Sequence, residues 1–180
     1  MAKRPRYSKG KEIKPTFYVF CEGESEEAYI SFIRSSRRIS IQIKAKVAKN
    51  KINQQYVNRN LRPTTDPAKD KLFLLYDIDT PGMLGKLQFI KDAILLVSNP
   101  CFELWYILHT SNHTAEVTSQ QCVEKLERIC TDYRKGYICG KLRQELTTGE
   151  EKAIARSKKY TLYTNPSTSV YLLLEELNKV

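Results

Sequence analysis

Apolar and polar positions alternate between two periods along this chain. Thr16-Phe17-Tyr18-Val19-Phe20-Cys21 is an unbroken run of β-forming residues and predicts a buried strand. Glu22-Gly23-Glu24-Ser25 breaks it. Ser25 suits a helix N-cap, with Glu26 and Glu27 in the first turn. Tyr29, Ile30, Phe32 and Ile33 then recur at helical spacing, carrying the helix to about Arg38. Residues 40–47 alternate, Ile41, Ile43, Ala45 and Val47 against Gln42, Lys44 and Lys46, which predicts a half-buried strand with a basic outer face. A polar stretch follows, with a short helix around Ile52 to Leu61. Residues 71–77, Lys-Leu-Phe-Leu-Leu-Tyr-Asp, are apolar on both sides, as in a central parallel strand. Asp77-Ile78-Asp79-Thr80-Pro81-Gly82 ends it. A short helix from Met83 to Lys91 leads to a fourth strand, Ala93 to Ser98. Beyond Asn99-Pro100 the pattern is helical: Cys101–His109, Ser119–Tyr133, Gly136–Leu146, Glu150–Tyr160 and Ser167–Asn178.

Strands alternating with helices predict an α/β fold, with a central, mostly parallel four-stranded sheet flanked by helices and followed by a helical C-terminal extension. The expected division is a basic disordered arm over 1–14, an α/β core over 15–110 and a helical extension over 111–180 packed on that core. With 41% hydrophobic and 28% charged residues the composition is that of a globular chain rather than a disordered one. No apolar run approaches the roughly 18 residues of a membrane helix. The first ten residues are basic and polar, with no apolar core of a secretory signal. Five cysteines without a C-x-x-C pair argue against a zinc ribbon and a disulfide framework. A cytoplasmic setting is expected.

Charge changes the picture because it is uneven. Residues 1–65 carry 15 Lys+Arg against 5 Asp+Glu, whereas residues 66–180 carry 15 against 15, so the formal +10 lies entirely in the first third. Lys3, Arg4, Arg6, Lys9, Lys11 and Lys14 crowd the arm. Arg34, Arg37, Arg38, Lys44, Lys46, Lys49 and Lys51 follow as candidate phosphate-backbone contacts.

In parallel sheets, sites form beyond the carboxyl ends of the strands. Glu22 follows the first strand, and Asp77 and Asp79 end the central one. If the two strands are neighbours these carboxylates converge and raise one another's pKa, and a hard divalent cation, Mg2+ or Mn2+, resolves the repulsion. Gly23 allows the sharp turn a ligand approach needs. Asn99 follows the fourth strand on the same edge, with Glu103 one turn into the next helix. Asn99 and Glu103 are either ordinary helix-entrance residues or members of the site, Glu103 as a further metal ligand and Asn99 as an accessory residue, whereas His109, on a different helix face, is either a packing or surface residue or an accessory one.

Several stretches carry a resemblance. They are Phe20-Cys21-Glu22-Gly23-Glu24-Ser25-Glu26 with Tyr29, Asp77-Ile78-Asp79, Ser98-Asn99-Pro100-Cys101-Phe102-Glu103-Leu104-Trp105 with His109, and Asn165-Pro166-Ser167. The first two look like the Toprim motifs of primases, topoisomerases and overcoming-lysogenisation-defect nucleases. Together, over about residues 15 to 178, they resemble the RloB-like family. The resemblance implies a Toprim-like core and a phage-defence setting, often beside an ATPase of the ABC or overcoming-lysogenisation-defect kind. It makes Glu22 a general acid/base or metal ligand, and Asp77 and Asp79 metal ligands. Glu26 is placed as a further carboxylate that serves a second metal. Toprim cores also often carry a late lysine, to which no residue is assigned.

The expected function is a metal-dependent nuclease working with an ATPase partner, with RNA slightly favoured over DNA because a small chain does not easily encircle a duplex. A homo-oligomer is compatible with it. The competing expectation is a non-catalytic module that binds nucleic acid and an ATPase. Nucleotide phosphoryl transfer has less support, since Gly82-Met83-Leu84-Gly85 lacks the ending of a phosphate loop.

Overall fold

The computed structural model describes residues 15–37, 42–62, 69–138 and 140–179. The basic arm and Arg38 lie outside these residues, as does the side chain of Lys44. The elements run β1 (Thr16–Cys21), α1 (Glu24–Ser36), β2 (Gln42–Val47), α2 (Gln54–Asn60), β3 (Lys71–Asp77), α3 (Met83–Gln88), β4 (Ala93–Asn99) and α4 (Glu103–Thr110). They continue with α5 (Ser119–Ile129), α6 (Gly140–Thr148), α7 (Glu150–Ser157), β5 (Ser167–Thr168) and α8 (Tyr171–Leu177).

The fold is α/β with a mixed sheet in the order β2-β1-β3-β4-β5. The first four strands are mutually parallel and β5 is antiparallel to β4. The expected four-stranded sheet is thus corrected to five strands. The correction falls on Ser167 and Thr168, which the sequence pattern assigns to the start of the last helix. A two-residue strand is too short to show an alternation. Side chains reinforce its backbone pairing: Ser98 Oγ and Thr168 Oγ1 lie 2.9 Å apart, and Val97 N–H donates to Ser169 Oγ at 2.8 Å. Helix α8 starts only at Tyr171.

Alternation along β1 and β3 separates two cores. Phe17, Val19, Cys21, Phe73 and Leu75 face one side, where Tyr29 and Ile33 of α1, Trp105 of α4 and its N-cap Phe102 pack. Tyr18, Phe20, Leu72, Leu74 and Tyr76 face the other, against Val57 of α2 and Met83 and Leu87 of α3. Helices α5 to α8 join the first core through Cys122, Leu126, Leu146, Ala153 and Leu174. The C-terminal segment therefore shares the core of the sheet and supplies one of its strands. At Gly149, before α7, an added Cβ would stand 2.4 Å from the His109 carbonyl oxygen, so only glycine lets α7 sit this close to α4.

The strand order places a topological switch between β1 and β3. The chain leaves β1 for β2 on one side, and returns to β3 on the other. Crevices at such a switch, beyond the strand carboxyl ends, are where open α/β sheets hold ligands.

Candidate metal and phosphate site

Glu22 continues the β1 path, its N–H donating to Leu75 O at 3.0 Å. Its carboxylate accepts from the backbone N–H of Asp77 at 2.8 Å. The ends of the two switch strands are thus joined through a side chain. Gly23 is the N-cap of α1, with extended φ −137° and ψ −168°. Ser25 is therefore inside the helix instead of capping it. Its hydroxyl donates to Glu103 Oε1 at 3.5 Å.

One helical turn after Glu22, Glu26 folds back over Gly23, where a Cβ would come within 3.1 Å of Glu26 Oε2. One carboxylate oxygen from each of Glu22, Glu26 and Asp77 lies within 4.8 Å of the others. Glu103, from the first turn of α4, stands behind them with 4% exposure and accepts the Tyr133 hydroxyl at 2.7 Å. The cleft measures about 330 Å3, and Lys49 and Lys135 complete its lining.

The electrostatics follow from this crowding. Burial, then the Glu103 and Glu22 charges, push Glu26 up to about 7, against hydrogen bonds from its own N–H and that of Gly23. Asp77 is held well above the carboxylate range by burial and by Glu26, Glu22, Glu103 and Asp79. Burial raises Glu22 too, the Asp77 N–H opposing it and the Asp79 charge adding to it. Buried Asp77 Oδ1 has no hydrogen-bond partner. Three mutually repelling carboxylates and an orphaned oxygen fit a hard divalent cation, which takes oxygen ligands.

Asp79 is not part of this trio. The strand ends at Asp77, and the turn into α3 carries Asp79 to an exposed position where it accepts Ser119 Oγ at 3.3 Å. Asn99 donates through Nδ2 to Tyr163 O at 3.1 Å, beside β5. His109 is buried against Trp105, with ring centroids 4.9 Å apart, and Nδ1 lies 2.9 Å from Trp105 O. It is a packing residue of α4, remote from the cleft lining. Among the candidate cations, Lys49 lines the cleft, and Lys51 is exposed and is not part of the lining. Arg34 and Lys46 line a separate groove at the β2 edge, where Lys46 donates to Asn60 Oδ1 at 2.5 Å. Arg37 is engaged by Glu150 and Asn178.

Lys135 and Tyr133 have no counterpart in the sequence reading. Both come from the segment after α5, more than a hundred residues from Glu22, and no local periodicity brings that turn to the sheet edge. Gly136 makes the approach possible. It takes φ +75° and lies against Glu24, whose Cβ would be 3.0 Å from an added Cβ.

Comparison with protein families gives a match to the model of the RloB-like protein over residues 17–177. The chain belongs to the RloB-like family. The match runs from β1 into the last residue of α8, so the carboxylate edge and the C-terminal helices fall within one RloB-like unit. Comparisons with curated proteins and with solved structures gave no match. No helix among the described residues is long and apolar enough to cross a membrane.

Proposed function

We propose that this RloB-like chain is a Toprim-type phosphodiesterase, a metal-dependent nuclease. The observation that carries this reading is the convergence of Glu22, Glu26 and Asp77 at the β1/β3 switch, with Lys49 and Lys135 on the same cleft. Carboxylates alone suit a cation. Carboxylates beside two ammonium groups suit a cation and an anion together, which is the requirement of phosphodiester chemistry.

Glu22, Glu26 and Asp77 are the residues that would hold Mg2+ or Mn2+. When bound, the ion supplies charge neutralisation at phosphorus and a more acidic water. The remaining work falls to the chain. The Asp77 N–H fixes the Glu22 carboxylate in place. Tyr133 fixes Glu103. Lys49 and Lys135 bind and orient the non-bridging phosphate oxygens. Lys135 takes the place of the late lysine that the Toprim resemblance implies. Before a cation binds, Glu26 is pushed up to about 7 by burial and neighbouring charge, so its proton must leave for it to become a ligand. Lys49 holds φ +48° at the rim, a conformation that a non-glycine residue keeps only when its surroundings impose it.

The nucleic-acid substrate follows from the basic first third. An ATPase partner and an anti-phage role rest on the family resemblance. The test is cleavage of RNA and DNA by the full chain with Mg2+ or Mn2+, with and without an ATPase partner. Cleavage that disappears in Asp77→Asn and Glu26→Gln supports the reading. Undiminished cleavage in both variants removes this carboxylate site as the source of activity, and no cleavage with any metal and partner returns the chain to a binding module.

A further inference from the structure

Glu24, which lines the carboxylate cleft, also lines a second groove of about 560 Å3 between α1 and the turn that follows Tyr133. Three kinds of group line it. Tyr137 stands on the turn with 60% of its surface open to water. Glu24 and Glu27, one turn apart, line the α1 wall. Arg143 of α6 adds a cation, its guanidinium 5.4 Å from the Phe32 ring centroid.

The turn is pinned at both ends. Tyr137 N–H donates to Arg134 O at 3.1 Å, and Gly136 N–H donates to Ser25 Oγ at 3.4 Å. Lys135 thus lines the phosphate cleft while Tyr137, two residues on, lines the neighbouring groove. A cation in one compartment and an aromatic ring in the next is the pairing that a nucleotide's phosphate and base require. The acidic wall repels a second phosphate. It accepts hydrogen bonds from amino and imino N–H groups, and the paired donors on guanine's Watson–Crick edge match one carboxylate.

We propose that this groove is a nucleobase subsite: a base next to the bound phosphate stacks on Tyr137 with its donor edge toward Glu24 and Glu27, guanine being preferred. The ligand is single-stranded, since a paired base has both faces and its donor edge already engaged. The inference builds on the nuclease reading, which it deepens by naming the substrate's form. Binding is nonetheless measurable without cleavage.

The experiment uses the full chain carrying Asp77→Asn, without metal, and labelled uracil heptamers with or without one central guanine, as RNA and with deoxyuridine as DNA. Fluorescence anisotropy gives the affinity. Tyr137→Ala is expected to weaken binding about 5- to 160-fold, the equivalent of losing one base stack of about 1–3 kcal/mol. Tyr137→Phe holds it within about twofold, and Glu27→Gln narrows the advantage of the guanine-bearing strand. The RNA and DNA arms identify the sugar. Unchanged affinity in Tyr137→Ala, equal weakening toward duplex, or no binding of either strand overturns the subsite. Cleavage by the parent chain that is insensitive to Tyr137 sinks the subsite and spares the nuclease. Tyr137-dependent binding without cleavage by the parent does the reverse.

Discussion

The backbone N–H of Asp77 donates to the Glu22 carboxylate at 2.8 Å, so the end of β3 is tied to the residue that follows β1. The same carboxylate serves the fold and the cleft, and the two roles separate by substitution. Glu22→Gln keeps an acceptor for the Asp77 N–H and removes one of the crowded charges. Glu22→Ala removes both. In EDTA, thermal unfolding is expected to show Glu22→Ala below Glu22→Gln by about 1–2 kcal/mol, the usual value of a partly buried hydrogen bond. Equal melting of the two variants would show that this bond does not join the strands.

Asp77 carries a buried oxygen without a partner in a site that disfavours its charge. Asp77→Asn is therefore expected to melt at or above the parent in EDTA. Mg2+ or Mn2+ is expected to raise the parent's melting temperature, by the equivalent of about 2.7 kcal/mol at a hundredfold excess over Kd. The variant is expected to lose that rise. Differential scanning fluorimetry across a metal series reads both effects. A parent that ignores both metals removes the cation from the site.

Protons compete with that cation for Glu26. Its carboxyl, pushed up to about 7, must lose its proton to become a ligand. Metal affinity measured by calorimetry is expected to climb as pH rises from 5.5 to 7.5 and then level off. Glu26→Gln should bind more weakly with a flatter pH profile. A parent whose affinity is independent of pH across this range places the metal elsewhere.

His109, on another face of α4 from Glu103, sets a separate pH limit. Burial pushes it down to about 4, with the ring N–H donated to Trp105 O opposing and the Arg156 charge adding to the fall. The unfolded chain protonates it near 6.5 and the folded chain only near 4, so its contribution is complete above 6.5 and is lost as pH falls to 4. Chemical denaturation is expected to show a loss of order 2–3 kcal/mol between pH 6.5 and 4 from this group. Because raised carboxyls such as Glu26 favour the folded state at low pH, the His109 share is read as the difference from His109→Gln. An identical pH profile in the variant refutes it.

Gly149→Ala places a methyl group 2.4 Å from the His109 carbonyl oxygen and 2.8 Å from that of Glu145. Backbone atoms on both sides cannot yield as a side chain would. A loss of about 1–3 kcal/mol is expected from overpacking, visible as a lower denaturation midpoint. A neutral outcome would mean that α4 and α7 are free to slide.

Much of the sheet is legible in the sequence because parallel strands buried on both faces appear as unbroken apolar runs. Residues 71–77 and 16–21 are recognisable for that reason. So is the convergence of Glu22 with Asp77, which needs only neighbouring strands and the rule of carboxyl ends. Asp79 shows the limit. An Asp-x-Asp spacing keeps both acids on one face only while the strand continues, and β3 stops at the first. Ser25 misleads because a hydroxyl before two glutamates looks like a cap, whereas Gly23 caps and Ser25 turns to Glu103. Glu26 taken alone looks like a dipole-compensating acid; only the family resemblance puts it in the site, where it is 5% exposed. Lys135, Tyr133 and β5 are illegible because long-range packing alone positions them.

The late position of β5 bears on synthesis. Ser98 and Asn99 pair with residues some seventy positions downstream, and the turn bearing Lys135 lies between them. A nascent chain emerging from the ribosome holds every acid of the cleft before Lys135, which completes the lining, has been added. Translation must pass residue 168 before the last strand docks on β4, so the edge of the sheet is finished late in biogenesis.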